Sequence, residues 1–217
     1  MISGPEVIGL IAAAAVSYFV GNISPATLVG RIHGVDIRKE GSGNPGTTNV
    51  LRTLGKKAAA CTLLIDVLKG FLPAFLAGMF LSGLAAILCG TAALLGHMWP
   101  VCFRFRGGKG VATGFGVALA VDWRVGLIAL LCALLGVLIT KRMSCGSIVA
   151  AISFPFTVYL FEVHNISGAL GWEHIWAACM ALLIIWRHRS NIARLVKGEE
   201  PPLSFLSGKS EEKDSRK

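Results

Sequence analysis

Three polar segments interrupt an otherwise apolar chain, and their residue types suit the handling of phosphate. The first is Glu40-Gly-Ser-Gly-Asn-Pro-Gly-Thr-Thr-Asn-Val-Leu-Arg52, rich in glycine, asparagine and hydroxyls and ending in an arginine. Glycines let backbone N–H groups turn toward an anion, which an arginine can then hold bidentately. The second runs from Gly96-His-Met-Trp-Pro100 to Gly107-Gly-Lys-Gly-Val-Ala-Thr113, where a glycine loop feeds an apolar helix. Free N–H groups and the positive dipole end suit a phosphate there, and Lys109 adds a point charge. It is not a Walker A loop, because Phe103 occupies the first glycine position and Gly110 follows the lysine. The third is Arg187-His-Arg-Ser-Asn-Ile-Ala-Arg-Leu-Val-Lys-Gly-Glu-Glu-Pro201. If its helix continues, His188 and Asn191 share a face with Arg194 beyond them, and a neutral imidazole offers a general base.

Each segment also has a plain reading: a flexible connector, a turn with a snorkelling lysine, and an interfacial histidine. Asp66 and Lys69, at i and i+3 inside an apolar run, form either a structural ion pair or a functional one, since intramembrane charges are costly. Ser144 and Ser147, beside Lys141 and Arg142, could lend hydroxyls to the same anion pocket.

The elements that must position these residues are membrane helices. Of 217 residues, 54% are apolar and 15% charged, and mean hydropathy is +0.67, which excludes both a soluble globule and a disordered chain. Apolar runs at 7–29, 58–81, 84–98, 111–121, 125–140, 147–161 and 175–186 predict an all-α bundle of about seven transmembrane helices. With the N-terminus outside, every Lys and Arg except Arg124 and Lys69 falls on one side, which is then cytoplasmic, as is the C-terminus. The net charge of +9 thus reads as orientation rather than nucleic-acid binding. Merging the runs at 111–121 and 125–140 would bury Asp122 and Arg124 at about 2.5–3.5 kcal/mol per charge. The first basic residue is Arg31, so 7–29 reads as a retained span rather than a signal peptide. The six cysteines show no CxxC pairing, no internal repeat is visible, and residues 1–208 read as one membrane domain with a disordered cytoplasmic tail at 209–217.

Taken together, Gly41 to Arg52, Gly96 to Thr113 and His188-Arg-Ser-Asn191 with Arg194, Gly198 and Glu199 resemble the three cytoplasmic motifs of the bacterial membrane glycerol-3-phosphate acyltransferase (PlsY) family. The likeness covers nearly the whole chain, including Asp66-x-x-Lys-Gly70. It implies transfer of a fatty acyl group from acyl phosphate to the 1-hydroxyl of sn-glycerol 3-phosphate, giving lysophosphatidic acid and phosphate, in the bacterial inner membrane. It also implies a monomer among membrane lipids, with no cofactor and no metal. No histidine is followed five places on by aspartate, so the His-x-x-x-x-Asp acyltransferase mechanism is not expected.

By the same resemblance, Ser42, Arg52, His188 and Asn191 are catalytic candidates. Asn44, Gly107, Gly108, Lys109, Gly110, Thr113, Ser144, Ser147 and Arg194 are candidates for substrate binding, the glycine loop for glycerol phosphate. Asp66, Lys69 and Glu199 are structural or unassigned. Either His188 or a phosphate oxygen of the substrate could accept the hydroxyl proton. Two departures stand out: Arg106 where lysine is expected, and Asn22-Ile23-Ser24-Pro25 in the first span. The competing class is an organic-phosphate transporter, although such proteins place their polar residues in broken helices of repeated halves near the midplane.

Overall fold

Pro25 has no N–H to continue a helix, and its fixed φ suits a helix start. The first apolar run accordingly breaks at Asn22-Ile23-Ser24 into α1 (Gly4–Gly21) and α2 (Pro25–Ile32). The computed structural model describes residues 4–162 and 172–203. The other helices among these residues are α3 (Thr47–Phe80), α4 (Gly83–Met98), α5 (Val111–Val121), α6 (Trp123–Thr140), α7 (Met143–Glu162), α8 (Trp172–Arg187) and α9 (Arg189–Val196), with a 3-10 turn at Val101–Phe103. The expected tail at 209–217 lies outside the described residues.

The seven apolar runs fall on helices, the first on both sides of its break, but α3 begins well before its run, at Thr47. Its polar first turns are set off from the apolar remainder by Gly55, whose φ of 84° no β-branched side chain would adopt. Among the described residues, five helical stretches are long and apolar enough to cross a membrane: Gly4–Ile32, Thr47–Phe80, Gly83–Phe103, Trp123–Thr140 and Met143–Phe161. The chain is therefore a membrane protein by helix length and composition. The other two runs are shorter: α8 has 16 residues and α5 has 11, about 16 Å against a hydrocarbon core of about 30 Å.

The chain forms two compact units, Met1–Leu127 and Ile128–Lys217. In the first, α4 packs on α1, α3 packs on both α4 and α5, and α2 lies on α3. The seams are backbone to backbone. A Cβ at Gly21 would collide with the Ala93 carbonyl, one at Gly96 with the Tyr18 carbonyl, one at Gly70 with the Thr113 carbonyl and one at Gly116 with the Val67 carbonyl. Small residues at these crossings let the axes approach closely, which is how helices associate without a hydrophobic driving force. The burial pattern agrees: Ala26, Ala74 and Ala93 are fully buried, while Leu64, Phe75, Leu76 and Phe80 face outward from α3. In the second unit α7 packs on α8, and a Cβ at Gly146 would meet the main chain of α6 at Ala133.

Candidate active site

The glycine-rich first loop is folded around one residue that sequence reasoning passed over. Asn49, 1% exposed, donates through Nδ2 to the carbonyls of Ile37 (2.9 Å) and Glu40 (3.0 Å) and accepts the Ser42 N–H on Oδ1 (2.9 Å). A single buried amide thereby fixes three points of the loop, and Ser42 sits exposed at its rim. Asn44 is half-buried one turn away, where its carbonyl accepts the Gly46 N–H (2.9 Å). Arg52 is exposed on the polar start of α3.

The second loop is fastened from two sides. From α1, the Tyr18 hydroxyl donates to the Trp99 carbonyl (2.8 Å) and accepts the Val101 N–H (3.2 Å), while Asn22 Oδ1 accepts the Cys102 N–H (3.2 Å). From below, the His97 carbonyl accepts the Gly108 N–H (3.1 Å). Gly107 and Gly108 lie so close to His97 that a Cβ on Gly107 would overlap its carbonyl and one on Gly108 its imidazole. Gly110, at φ 87°, turns the chain into α5 with no side chain capping the helix, leaving its first-turn N–H groups directed at the loop. Lys109 is half-buried between these glycines. Thr113 is different: it is fully buried in the α3–α5 seam against Gly70 rather than in the loop.

The imidazole under that loop is itself held by charge. Asp66 Oδ1 lies 2.7 Å from Lys69 Nζ and 3.3 Å from His97 Nδ1, all three side chains nearly inaccessible. Lys69 also donates to the Ile23 carbonyl (2.6 Å), in the break between α1 and α2. The i, i+3 pair expected from sequence is thus present, with further partners from α4 and from the break between α1 and α2. His97 is the second residue that sequence reasoning left without a role. Its position at Gly96-His97-Met98, one turn before the loop, was visible, but its distance to Asp66 was not.

In the second unit the helix does not continue through His188: α8 ends at Arg187 and α9 begins at Arg189. His188 is 2% exposed, and its Nδ1 lies 2.8 Å from the Ile184 carbonyl. A carbonyl only accepts, so Nδ1 carries the proton and Nε2 is the basic nitrogen of the neutral ring. Asn191 Nδ2 donates to Glu200 Oε1 (2.7 Å) and Arg194 Nε to Glu200 Oε2 (2.7 Å). Burial pushes the Glu200 carboxyl up, but the hydrogen bonds from its neighbours, Asn191 and Arg194 among them, outweigh it and hold the group below its ordinary 4.5. Ser144, buried at the start of α7, faces the same carboxylate. Ser147 is turned inward on its own helix, donating to the Met143 carbonyl (3.0 Å). Glu199, the acid singled out from sequence, is exposed, and the adjacent Glu200 takes the buried position. The segment after α9 is tied back: Arg142 Nε donates to the Glu200 carbonyl (2.9 Å) and the Leu203 N–H to the Lys141 carbonyl (2.8 Å).

In the first unit, a glycine loop at a helix start with a lysine and a polar loop with an exposed serine and arginine suit an anionic substrate; in the second, His188 presents one basic nitrogen. The glycerol-3-phosphate acyltransferase family matches residues 11–198. The glycerol-3-phosphate acyltransferase of Hydrogenovibrio crunogenus is 43% identical over 206 residues, 94% of this chain and 96% of that one. That of Neisseria meningitidis serogroup C is 45% identical over 202 residues, 88% and 95% of the two chains. Among solved structures, the glycerol 3-phosphate form of PlsY (YgiH), an integral membrane glycerol 3-phosphate acyltransferase, superposes with a TM-score of 0.83 at 38% identity, covering 92% of this chain and 98% of that one. Its lysophosphatidic acid form gives 0.80 at the same identity. With a family match spanning most of its length and relatives above 40% identity, this chain belongs to the glycerol-3-phosphate acyltransferase family.

Proposed function

We propose that the protein transfers a fatty acyl group from acyl phosphate to the 1-hydroxyl of sn-glycerol 3-phosphate, releasing lysophosphatidic acid and inorganic phosphate. The observation that carries this reading is the Gly107–Gly110 loop, built against His97 and opening onto the start of α5. Such a loop binds a phosphate without help from a metal. The glycerol 3-phosphate and lysophosphatidic acid forms of the related PlsY structure support the acceptor and the product.

The donor is already an activated mixed anhydride, so the task is alignment and charge stabilisation rather than activation. The acceptor oxygen attacks the acyl carbon, the carbon–oxygen bond to phosphate breaks, and the acceptor proton passes to a base. His188 Nε2 and a phosphate oxygen of the substrate are the two candidates for that proton. Ser42 and Arg52 serve the reacting carbonyl and the departing phosphate, and Lys109 with its glycines holds glycerol phosphate. Asn191 and Arg194 act through the Glu200 cluster. Ser144 and Ser147 contribute hydroxyls only after reorientation. The enzyme acts as a monomer at the cytoplasmic face of the inner membrane, where a basic layer draws in soluble phosphates and the acyl chain stays in lipid.

The test is product formation by purified protein given glycerol 3-phosphate with palmitoyl phosphate and, separately, with palmitoyl-CoA. Lysophosphatidic acid and phosphate from the first alone establish the donor. Product from the thioester alone overturns it, and no product from either moves an anion transporter to the front, to be checked by liposome uptake.

A further inference from the structure

Arg38 opens the first loop, before the glycines, and none of the roles above employs it. Its guanidinium carbon lies 4.8 Å from the centroid of the Phe103 ring, so the side chain reaches from the first loop onto the second. A cation–π contact of this kind steadies the guanidinium without using its N–H groups. Nε and Nη2 are both buried and, among the described residues, neither has a hydrogen-bond partner. Arginine cannot shed its proton, so a guanidinium in this state carries the full cost of unmade charge-assisted hydrogen bonds. The nearby acids leave it in that state: Asp36 is engaged by Lys39 (3.9 Å) and by the Arg38 backbone N–H (3.2 Å). The same loop carries a second unsatisfied group, because Thr47 Oγ1 at the first turn of α3 is buried and unpartnered as well.

Nε and one terminal nitrogen form the edge of the guanidinium that matches two oxygens of a tetrahedral phosphoryl group. We propose that Arg38, held over Phe103, is a phosphoryl-binding residue of the active site. Lys109 and its loop engage one phosphate of the proposed reaction, and Arg38 engages the phosphoryl group of the acyl donor and then the phosphate that leaves. This assignment rests on the proposed acyl-phosphate chemistry for the source of the phosphoryl group, and on the geometry alone for its chemical class.

Two measurements on the full-length protein in detergent test it. Kinetics of Arg38→Ala and Arg38→Lys compare KM for palmitoyl phosphate with KM for glycerol 3-phosphate. The alanine variant is expected to raise the first about 10- to 100-fold, the loss of a charge-assisted bidentate contact. Lysine, which keeps the charge without the fork, recovers part of it. A rise confined to palmitoyl phosphate supports the assignment of Arg38 to the acyl donor, and a rise confined to glycerol 3-phosphate overturns it. Independently of turnover, phenylglyoxal modification of Arg38 in the wild-type protein is followed by peptide mass spectrometry with and without inorganic phosphate. Protection by phosphate is expected even if acyl phosphate proves not to be the donor, so the two readings fail separately. Modification of Arg38 at the same rate with and without phosphate overturns the proposal, whatever the variants do.

Discussion

Gly108→Ala places one methyl group where the His97 imidazole already lies. The ring cannot swing away cheaply, because Asp66 holds its Nδ1 at 3.3 Å and its own residue's carbonyl accepts the Gly108 N–H at 3.1 Å. The clash is therefore relieved by moving the loop, at a typical overpacking cost of about 1–3 kcal/mol. If that cost is expressed in the geometry of the phosphate site, kcat/KM for glycerol 3-phosphate falls by a factor of about 5 to 150. The assay is phosphate release as a function of glycerol 3-phosphate at saturating palmitoyl phosphate. Gly83→Ala serves as control, since a Cβ there meets nothing within 4 Å, and it is expected to match wild type. Removing the obstacle gives the stricter test: adding Gly108→Ala to His97→Ala should cost almost nothing further, a strong departure from additivity. Gly108→Ala with kcat/KM within about two-fold of wild type, or effects that add in the double variant, would refute the claim that His97 sets the loop's position.

Three further outcomes follow from the same contacts. Asp66→Asn leaves Lys69 buried without a counter-charge and should lower stability in detergent by about 3–5 kcal/mol, with Asp66→Asn/Lys69→Met recovering part of it in thermal unfolding. Glu200 binds its proton less readily folded than unfolded, so its stabilisation is present above about pH 4.5, its ordinary value, and is lost as pH falls through the lower folded value. Melting scans from pH 7 downward should show that loss, and Glu200→Gln should start lower by about 1–3 kcal/mol and flatten the pH dependence. His188→Gln should reduce kcat by about 100-fold or more and remove the acidic limb of the pH–rate profile if Nε2 is the base, whereas near-normal kcat assigns the proton to substrate phosphate.

What the sequence revealed depended on range. Asp66 and Lys69 were legible as a pair because three residues on a helix is a fixed geometry, whereas 7–29 reads as one span and the break at Ser24-Pro25, where proline lacks an N–H, came only with the structure. The glycines before α5 were legible because a loop feeding an apolar run has a recognisable chemistry. His97 beneath that loop was not, because its closeness to Asp66 comes from the packing of α3 against α4, which no local pattern encodes. Asn49 was hidden for another reason: an asparagine in a polar loop looks the same whether it points to water or ties three backbone groups together. At Glu199-Glu200 the composition was right and the register was open, and only the fold-back onto Arg142 makes the second acid the buried one. The polar start of α3 escaped because hydrophobic periodicity ends where Gly55 kinks the helix.

The glycine seams bear on substrate length. Where Gly21 meets Ala93, Gly70 meets Thr113 and Gly116 meets Val67, main chain touches main chain, so no slot exists at those crossings for a methylene chain to enter and no side chain stands there to measure it. The outward face of Leu64, Phe75 and Leu76 on α3 is one apolar wall that the first unit offers to a fatty tail. If a tail lies along that wall, selectivity between long and short acyl chains follows how many methylenes the wall covers, and it changes gradually with the size of those side chains.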